Sequence, residues 1–185
     1  MKVGTHAQES LADIIERKRR EIDQAGFALW GYGGNTCHPR TMVQPFAEAF
    51  RDHQKPIYLC MNEMNSQHFA EQLVAAESSP DGVTWEEIPE AIQVRGSRFA
   101  LKISSLEAVE FDLPLDRTKV AIGPSTGRIG SKYINGRVDK ACLEVLENSE
   151  EVAQDDLLAI QINLIAKLED PYALFLRKLR PSSNI

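Results

Sequence analysis

Apolar and polar positions change period several times along this chain, and each change marks an expected element. Over residues 5–25 the apolar positions Leu11, Ile14, Ile15 and Ile22 fall on one side of a helix, with Thr5 and Gln8 at capping-box spacing and Gly26 closing it. Residues 27–30 then read as a short buried strand. Beyond a glycine-rich loop, Pro45 suits a first helical position, and Phe46, Ala49, Phe50 and His53 recur at helical spacing. The continuous apolar run IYLCM at 57–61 predicts a strand covered on both faces. Ser66 can cap a third helix carrying Phe69, Leu73 and Ala76, ended by the turn-forming SSPDG.

From Val83 the period is two. Val83 and Trp85, Ile92 and Val94, Phe99, Leu101 and Ile103, then Val109, Phe111, Leu113 and Leu115 alternate with polar residues, which predicts three or four antiparallel strands. Residues 120–122 form another short strand before a second glycine-rich loop. Residues 133–138 return as a hairpin arm around Asn135-Gly136 or prolong that loop. Residues 139–146 read equally as a short helix or a strand. Over 149–169 the pattern is taken as helical, with Leu157, Leu164 and Leu168 on one stripe and Leu158, Ile162 and Ile165 on the next. Asp170-Pro171 then starts another helix with Tyr172, Phe175, Leu176 and Leu179.

The expected fold class is α+β: an antiparallel sheet or small partly open barrel packed with N-terminal and C-terminal helices. The layout is a single domain over 1–185, with an N-terminal helix (1–26), a mixed core (27–146) and C-terminal helices (149–180). It resembles PUA-like barrels by analogy of layout alone, and no motif ties it to a family.

Composition alters this picture little. With 43% hydrophobic and 26% charged residues, 185 residues suffice for one real core. No run of about 18 apolar residues and no basic-then-apolar leader is present, so neither a span nor a secretory signal is expected. Cys37, Cys60 and Cys142 contain no CxxC pair, which points to reduced thiols and a cytoplasmic protein. A net charge of −6 disfavours indiscriminate nucleic-acid binding. The Arg17-Lys18-Arg19-Arg20 cluster is read as complementing the helix dipole, with a nucleic-acid patch as the alternative.

Candidate chemistry concentrates in two stretches. Residues 27–40, FALWGYGGNTCHPR, bring aromatic rings, three glycines, an amide, a thiol, an imidazole and a guanidinium into one short loop. Residues 117–138 hold five basic residues, Arg117, Lys119, Arg128, Lys132 and Arg137, and no acidic one. Glycine-freed amides, the hydroxyls of Ser125, Thr126 and Ser131, and the charges of Arg128, Lys132 and Arg137 suit a phosphate. The register is neither a Walker loop nor a dinucleotide fingerprint.

The leading expectation is a binder of a phosphorylated aromatic ligand, a nucleotide or an exposed nucleic-acid base, held between the two loops. Tyr32 or Trp30 would stack on the ring, Asn35 and Gln44 read its edge, and His38 or Arg40 contact phosphate, stacking contributing about 1–3 kcal/mol per base. One alternative is an enzyme using Cys37, His38 and Glu63, although neighbouring side chains in extended backbone point oppositely, so His38 would rarely reach Cys37. Another is an interaction module using the C-terminal helices, whose wide apolar face also predicts a homodimer. No cofactor is called for. A zinc site from Cys37, His38, Cys60 and His68 matches no familiar spacing.

Overall fold

The computed structural model describes residues 1–33, 37–68, 73–134, 138–147, 158–177 and 180–181. In chain order these form β1 (Lys2–His6), α1 (Leu11–Ala25), β2 (Ala28–Tyr32), a π-helical turn (Pro39–Val43), α2 (Gln44–Asp52), β3 (Tyr58–His68), β4 (Leu73–Val74), β5 (Glu77–Ser79) and β6 (Glu86–Glu87). There follow β7 (Phe99–Ile103), β8 (Glu107–Pro114), a 3-10 turn (Leu115–Arg117), β9 (Thr118–Val120), α3 (Gly130–Tyr133), β10 (Leu143–Val145), β11 (Ala159–Arg177) and β12 (Arg180–Pro181). Helices and strands are mixed, and the main sheet curls into an open half-barrel, as an α+β fold requires.

The sheet is built around β11. Its first half pairs antiparallel with β3 on one side and β8 on the other, and its second half with β5 and β7. β1 then extends the sheet beyond β3 as a parallel neighbour, β2 beyond β7, and β6 beyond β5. Between Leu168 and Ala173 the register shifts, and Tyr172 takes φ 65°, so β11 changes neighbours and bends at one place.

This strand replaces the C-terminal helices expected from the sequence. Ile162, Leu164, Ala166 and Leu168 are buried and alternate with better exposed Asn163, Ile165 and Lys167, a period of two. The same stretch also satisfies helical spacing, because apolar residues occupy both odd and even positions. Partners on both edges decide between the two, Leu164 lying opposite Met61 and Ile162 opposite Phe111. Of the apolar face invoked for a homodimer, Ile162, Leu164 and Leu168 are therefore buried within this sheet while Leu158 is exposed, and the helices that were to form that interface are absent from 159–177. Residues 149–157, Leu179 included with 178–179, lie outside the described residues.

Other boundaries also move. Residues 2–6 are a strand, so α1 is capped not by Thr5 but by Ser10, whose Oγ accepts the Asp13 N–H at 3.2 Å. Gly26 ends the helix at φ 80°, donating its N–H to the Ile22 carbonyl at 2.8 Å. The helix proposed from Ser66 is excluded over 66–68, whose backbone continues β3, while Phe69 falls outside the described residues. A helical turn covers Gly130–Tyr133, so Tyr133 at least does not begin the hairpin arm read over 133–138, whose Asn135-Gly136 lies outside the described residues, and 143–145 take the strand option.

Two apolar clusters flank the sheet. The larger fills the concave side, where Trp30, Tyr32, Leu59, Met61, Leu101 and Leu164 meet Leu11 and Ile14 of α1, Val43 of the π-helical turn and Ala47 of α2. The smaller lies behind β2, β7 and the second half of β11, where Leu29, Ala100, Leu174 and Leu176 are covered by Ile88, Ile92 and Val94. Strands buried on both faces explain why the alternation in β2 and β7 is imperfect.

The basic cluster in α1 is a docking device. Lys18 is 2% exposed, and its ammonium donates to both Glu21 oxygens at 3.1 and 2.8 Å and to the Gln93 carbonyl at 2.6 Å. Arg17 bridges Glu9 and Glu21, and Arg19 donates to the Leu106 carbonyl. Three of the four cations thus fasten neighbouring segments to α1. None lies in the last turn, where the dipole reading placed them.

Candidate functional site

A cavity of about 600 Å³ lies on the concave side of the sheet, under α2 and the segment 138–145. Its walls are largely apolar, with Phe46 and Phe50 from α2, Leu59 from β3, Leu101 from β7, Leu113 from β8 and Ile162 from β11. The local reasons are plain: α2 turns Phe46 and Phe50 inward at i, i+4 spacing, ring centroids 4.7 Å apart, and each strand sends alternate side chains to the concave face. At the outer end, the exposed Lys55 and Glu147 approach to 3.2 Å.

Polar groups gather at the inner end. Tyr32 is 2% exposed, and its hydroxyl donates to the Cys37 carbonyl. Burial pushes the phenol pKa up. The Lys140 ammonium lies 5.3 Å from the centroid of the Tyr32 ring and 3.1 Å from the Asp139 carboxylate. The sulfur atoms of Cys37 and Cys142 are 3.2 Å apart. The Cys142 hydrogen bond, aided by the Tyr32 hydroxyl and the charge of Lys140 against the opposing effect of burial, lowers the Cys37 thiol to about 7. The same hydrogen bond, together with burial, pushes Cys142 up, and burial alone raises Cys60 on β3.

The residues singled out in the sequence are distributed over several places. Tyr32 and Cys37 line the cavity, and neither His38 nor Glu63 does. His38 starts the π-helical turn, its Nδ1 accepting the Arg40 N–H at 3.2 Å and its ring meeting Phe99 edge-on at 4.7 Å. Glu63 is exposed on β3, with its backbone N–H donated to Asn163 Oδ1 at 2.8 Å. Of the three groups of the enzyme reading only Cys37 lines the cavity, and Cys37 takes left-handed backbone (φ 55°) where the sequence reading assumed an extended one. Tyr32 and Trp30 are core side chains, not stacking platforms.

Arg40 lies with its guanidinium 5.3 Å from the Phe175 centroid, and its Nη1 is buried without a hydrogen-bond partner. Gln44 Nε2 donates to Glu48 at 2.8 Å, leaving its buried Oε1 unpartnered. Asn35 and Arg137 lie outside the described residues.

The second glycine-rich loop spends its donors on itself. The N–H groups of Thr126, Gly127 and Arg128 donate to the carbonyls of Gly123, Val120 and Ser125, and the Thr126 hydroxyl donates to Gly123 at 2.6 Å. Ser131 donates to the Asp116 carboxylate, whose other oxygen accepts the Leu158 N–H at 2.8 Å. Lys119 pairs with Glu144 at 3.2 Å, so part of the local positive charge is compensated. Arg128 and Lys132 are exposed, and neither they nor Ser125, Thr126 and Ser131 line the cavity, whereas Ile134 and Val138 do. Among the described residues, Gly123 of the second loop approaches the π-helical turn that follows the first, where a Cβ on Gly123 would stand 2.7 Å from Met42 Cε.

Sequence reasoning missed Lys140 and Cys142 as partners of the first loop. Cys142 was visible only as an isolated thiol, because 105 residues separate it from Cys37. Among the described residues no group of three His, Cys, Asp or Glu could hold a metal, and no helix is long and apolar enough to cross a membrane. No family model, no curated protein and no solved structure matches the chain.

Proposed function

We propose that this chain binds a small, predominantly apolar ligand within the curl of its sheet, with Lys140 and Tyr32 as the polar anchors. The carrying observation is the cavity of about 600 Å³, lined mostly by aliphatic and aromatic side chains with a few polar groups at one end. That size and lining suit a small-molecule site, where apolar walls supply affinity and a few polar groups fix orientation. Lys140, 9% exposed, would anchor a carboxylate or sulfonate at the inner end by taking it in exchange for the half-exposed Asp139 carboxylate with which it now pairs. The test is titration with an anilinonaphthalenesulfonate dye. Native protein should bind one equivalent; Ala141→Phe, which fills the cavity, should abolish binding, and Lys140→Gln should weaken it with near-UV circular dichroism retained. Equal dye binding by Ala141→Phe would remove the cavity from consideration.

A second reading keeps the nucleotide or nucleic-acid base as ligand, at the place where His38, Arg40, Phe99 and Phe175 cluster. It is favoured by the unpartnered Arg40 Nη1 beside an aromatic ring. ATP or an oligonucleotide should then lose affinity in Arg40→Ala. Arg128→Ala or Lys132→Ala should also flatten its salt dependence if the second loop contributes. Unchanged affinity and salt slope in all three would sink this reading.

A further inference from the structure

Cys37 and Cys142 belong to distant parts of the chain, one in the bend after β2 and the other just before β10, yet their sulfur atoms lie 3.2 Å apart. A disulfide has an S–S distance of about 2.05 Å, so closing this pair needs an approach of roughly 1 Å. Both thiols line the cavity although only 4% and 6% exposed, so a small oxidant that enters it reaches them. Cys60, on β3, has no thiol neighbour among the described residues.

We propose that Cys37 and Cys142 are a dithiol modification site oxidised by hydrogen peroxide, with Cys37 attacking and Cys142 resolving. The Cys37 thiolate attacks one peroxide oxygen, the O–O bond breaks, and Cys37 sulfenic acid and hydroxide form; the hydroxide takes up the proton that Cys37 had released. Cys142 sulfur then attacks the Cys37 sulfur, the S–O bond breaks, and the departing hydroxide leaves as water with the Cys142 proton. The two thiols lose two electrons and peroxide is reduced to two waters. An external dithiol reverses the modification by exchange.

The roles follow from the surroundings. The Cys142 hydrogen bond and the Lys140 charge lower the Cys37 thiol, whereas that same hydrogen bond and burial raise Cys142 and burial raises Cys60, so Cys37 is the readier thiolate of the three. The product ties the bend after β2 to the segment entering β10 across the inner wall of the cavity. This holds whatever ligand fills the remaining space.

The reduced full chain is treated with equimolar hydrogen peroxide, alkylated and mapped by mass spectrometry. The expected product is a Cys37–Cys142 linked peptide with Cys60 alkylated, a chain mass lower by two hydrogens, and full reversal by dithiothreitol. In Cys142→Ala, Cys37 should be trapped by dimedone as sulfenic acid, formed more slowly because the Cys142 hydrogen bond that lowers its thiol is gone; in Cys37→Ala, Cys142 should stay reduced at the same dose. In the wild-type chain, alkylation of Cys37 should have its pH midpoint below that of Cys60. Oxidation of Cys60 as fast as Cys37, or Cys37 sulfinic acid with Cys142 still alkylatable, would overturn the proposal. The wild-type map decides this even if a variant fails to fold.

Discussion

Glu21 is 1% exposed and accepts from Arg17, Lys18 and the Gln93 N–H at once, so it holds the segment around residue 93 against α1. Glu21→Ala leaves a buried ammonium and a backbone donor without their acceptor, and the expected loss is about 3–5 kcal/mol in urea denaturation. A loss within experimental error would mean that water replaces the carboxylate. Asp81 acts at the surface: its carboxylate collects the N–H groups of Val83 and Thr84 and the Ser79 hydroxyl, which hold its pKa below the usual 3.8. With the folded value depressed, its contribution is complete above the unfolded pKa and lost as pH falls through the folded one. Asp81→Asn should therefore flatten part of the decline in urea midpoint between about pH 5 and pH 2, and an unchanged acid profile would assign that decline to other carboxylates. Gly130 is a packing constraint, since a Cβ would stand 2.0 Å from Thr118 Oγ1 and 2.9 Å from the Leu115 carbonyl. Gly130→Ala should cost roughly 1–3 kcal/mol through displacement of the 3-10 turn, read as a lowered midpoint in urea.

At the scale of elements, β11 makes the sharpest claim, because one stretch of sequence supports two structures with different mutational signatures. As a strand, its buried residues are Ile162, Leu164, Ala166 and Leu168, with Gln161 and Lys167 outside. Ile162→Ala and Leu164→Ala, two residues apart, should each cost about 2–5 kcal/mol, whereas Gln161→Ala and Lys167→Ala should stay within about 0.5 kcal/mol. A helix would instead make costs recur every three or four residues. Ile162→Asp, which an interface helix tolerates with its fold intact, should here abolish folding, since Ile162 is 2% exposed between β3 and β8. Circular dichroism of that variant separates the two structures in one measurement.

For the whole molecule, the question is whether two apolar clusters behave as one. Among the described pairings β11 alone joins the β3–β8 part of the sheet to the β5–β7 part, so unfolding either part strips a partner from the same strand. Ile92→Ala in the smaller cluster and Leu59→Ala in the larger should lower one shared melting transition, and two resolved transitions would refute this coupling. The sequence alone determined the elements whose cause is local: α1 with its Gly26 stop, a helix beginning near Pro45, a strand at 27–30 that the structure carries over 28–32, a strand at 99–103, and a first loop rich in reactive side chains. Caps, turns and clean periodicity act within a few residues, and so they are legible. Tertiary structure alone decided that 159–177 is a strand, because its apolar positions satisfy both periods and only β3, β5, β7 and β8 select one. It also buried Lys18 and tied the exposed Arg19 to an acceptor 87 residues away, turned the amides of the second loop inward, and set Cys142 against Cys37 across 105 residues. Contacts of that separation leave no periodic trace in a single sequence, since what defines them is which surfaces close on one another when the sheet curls.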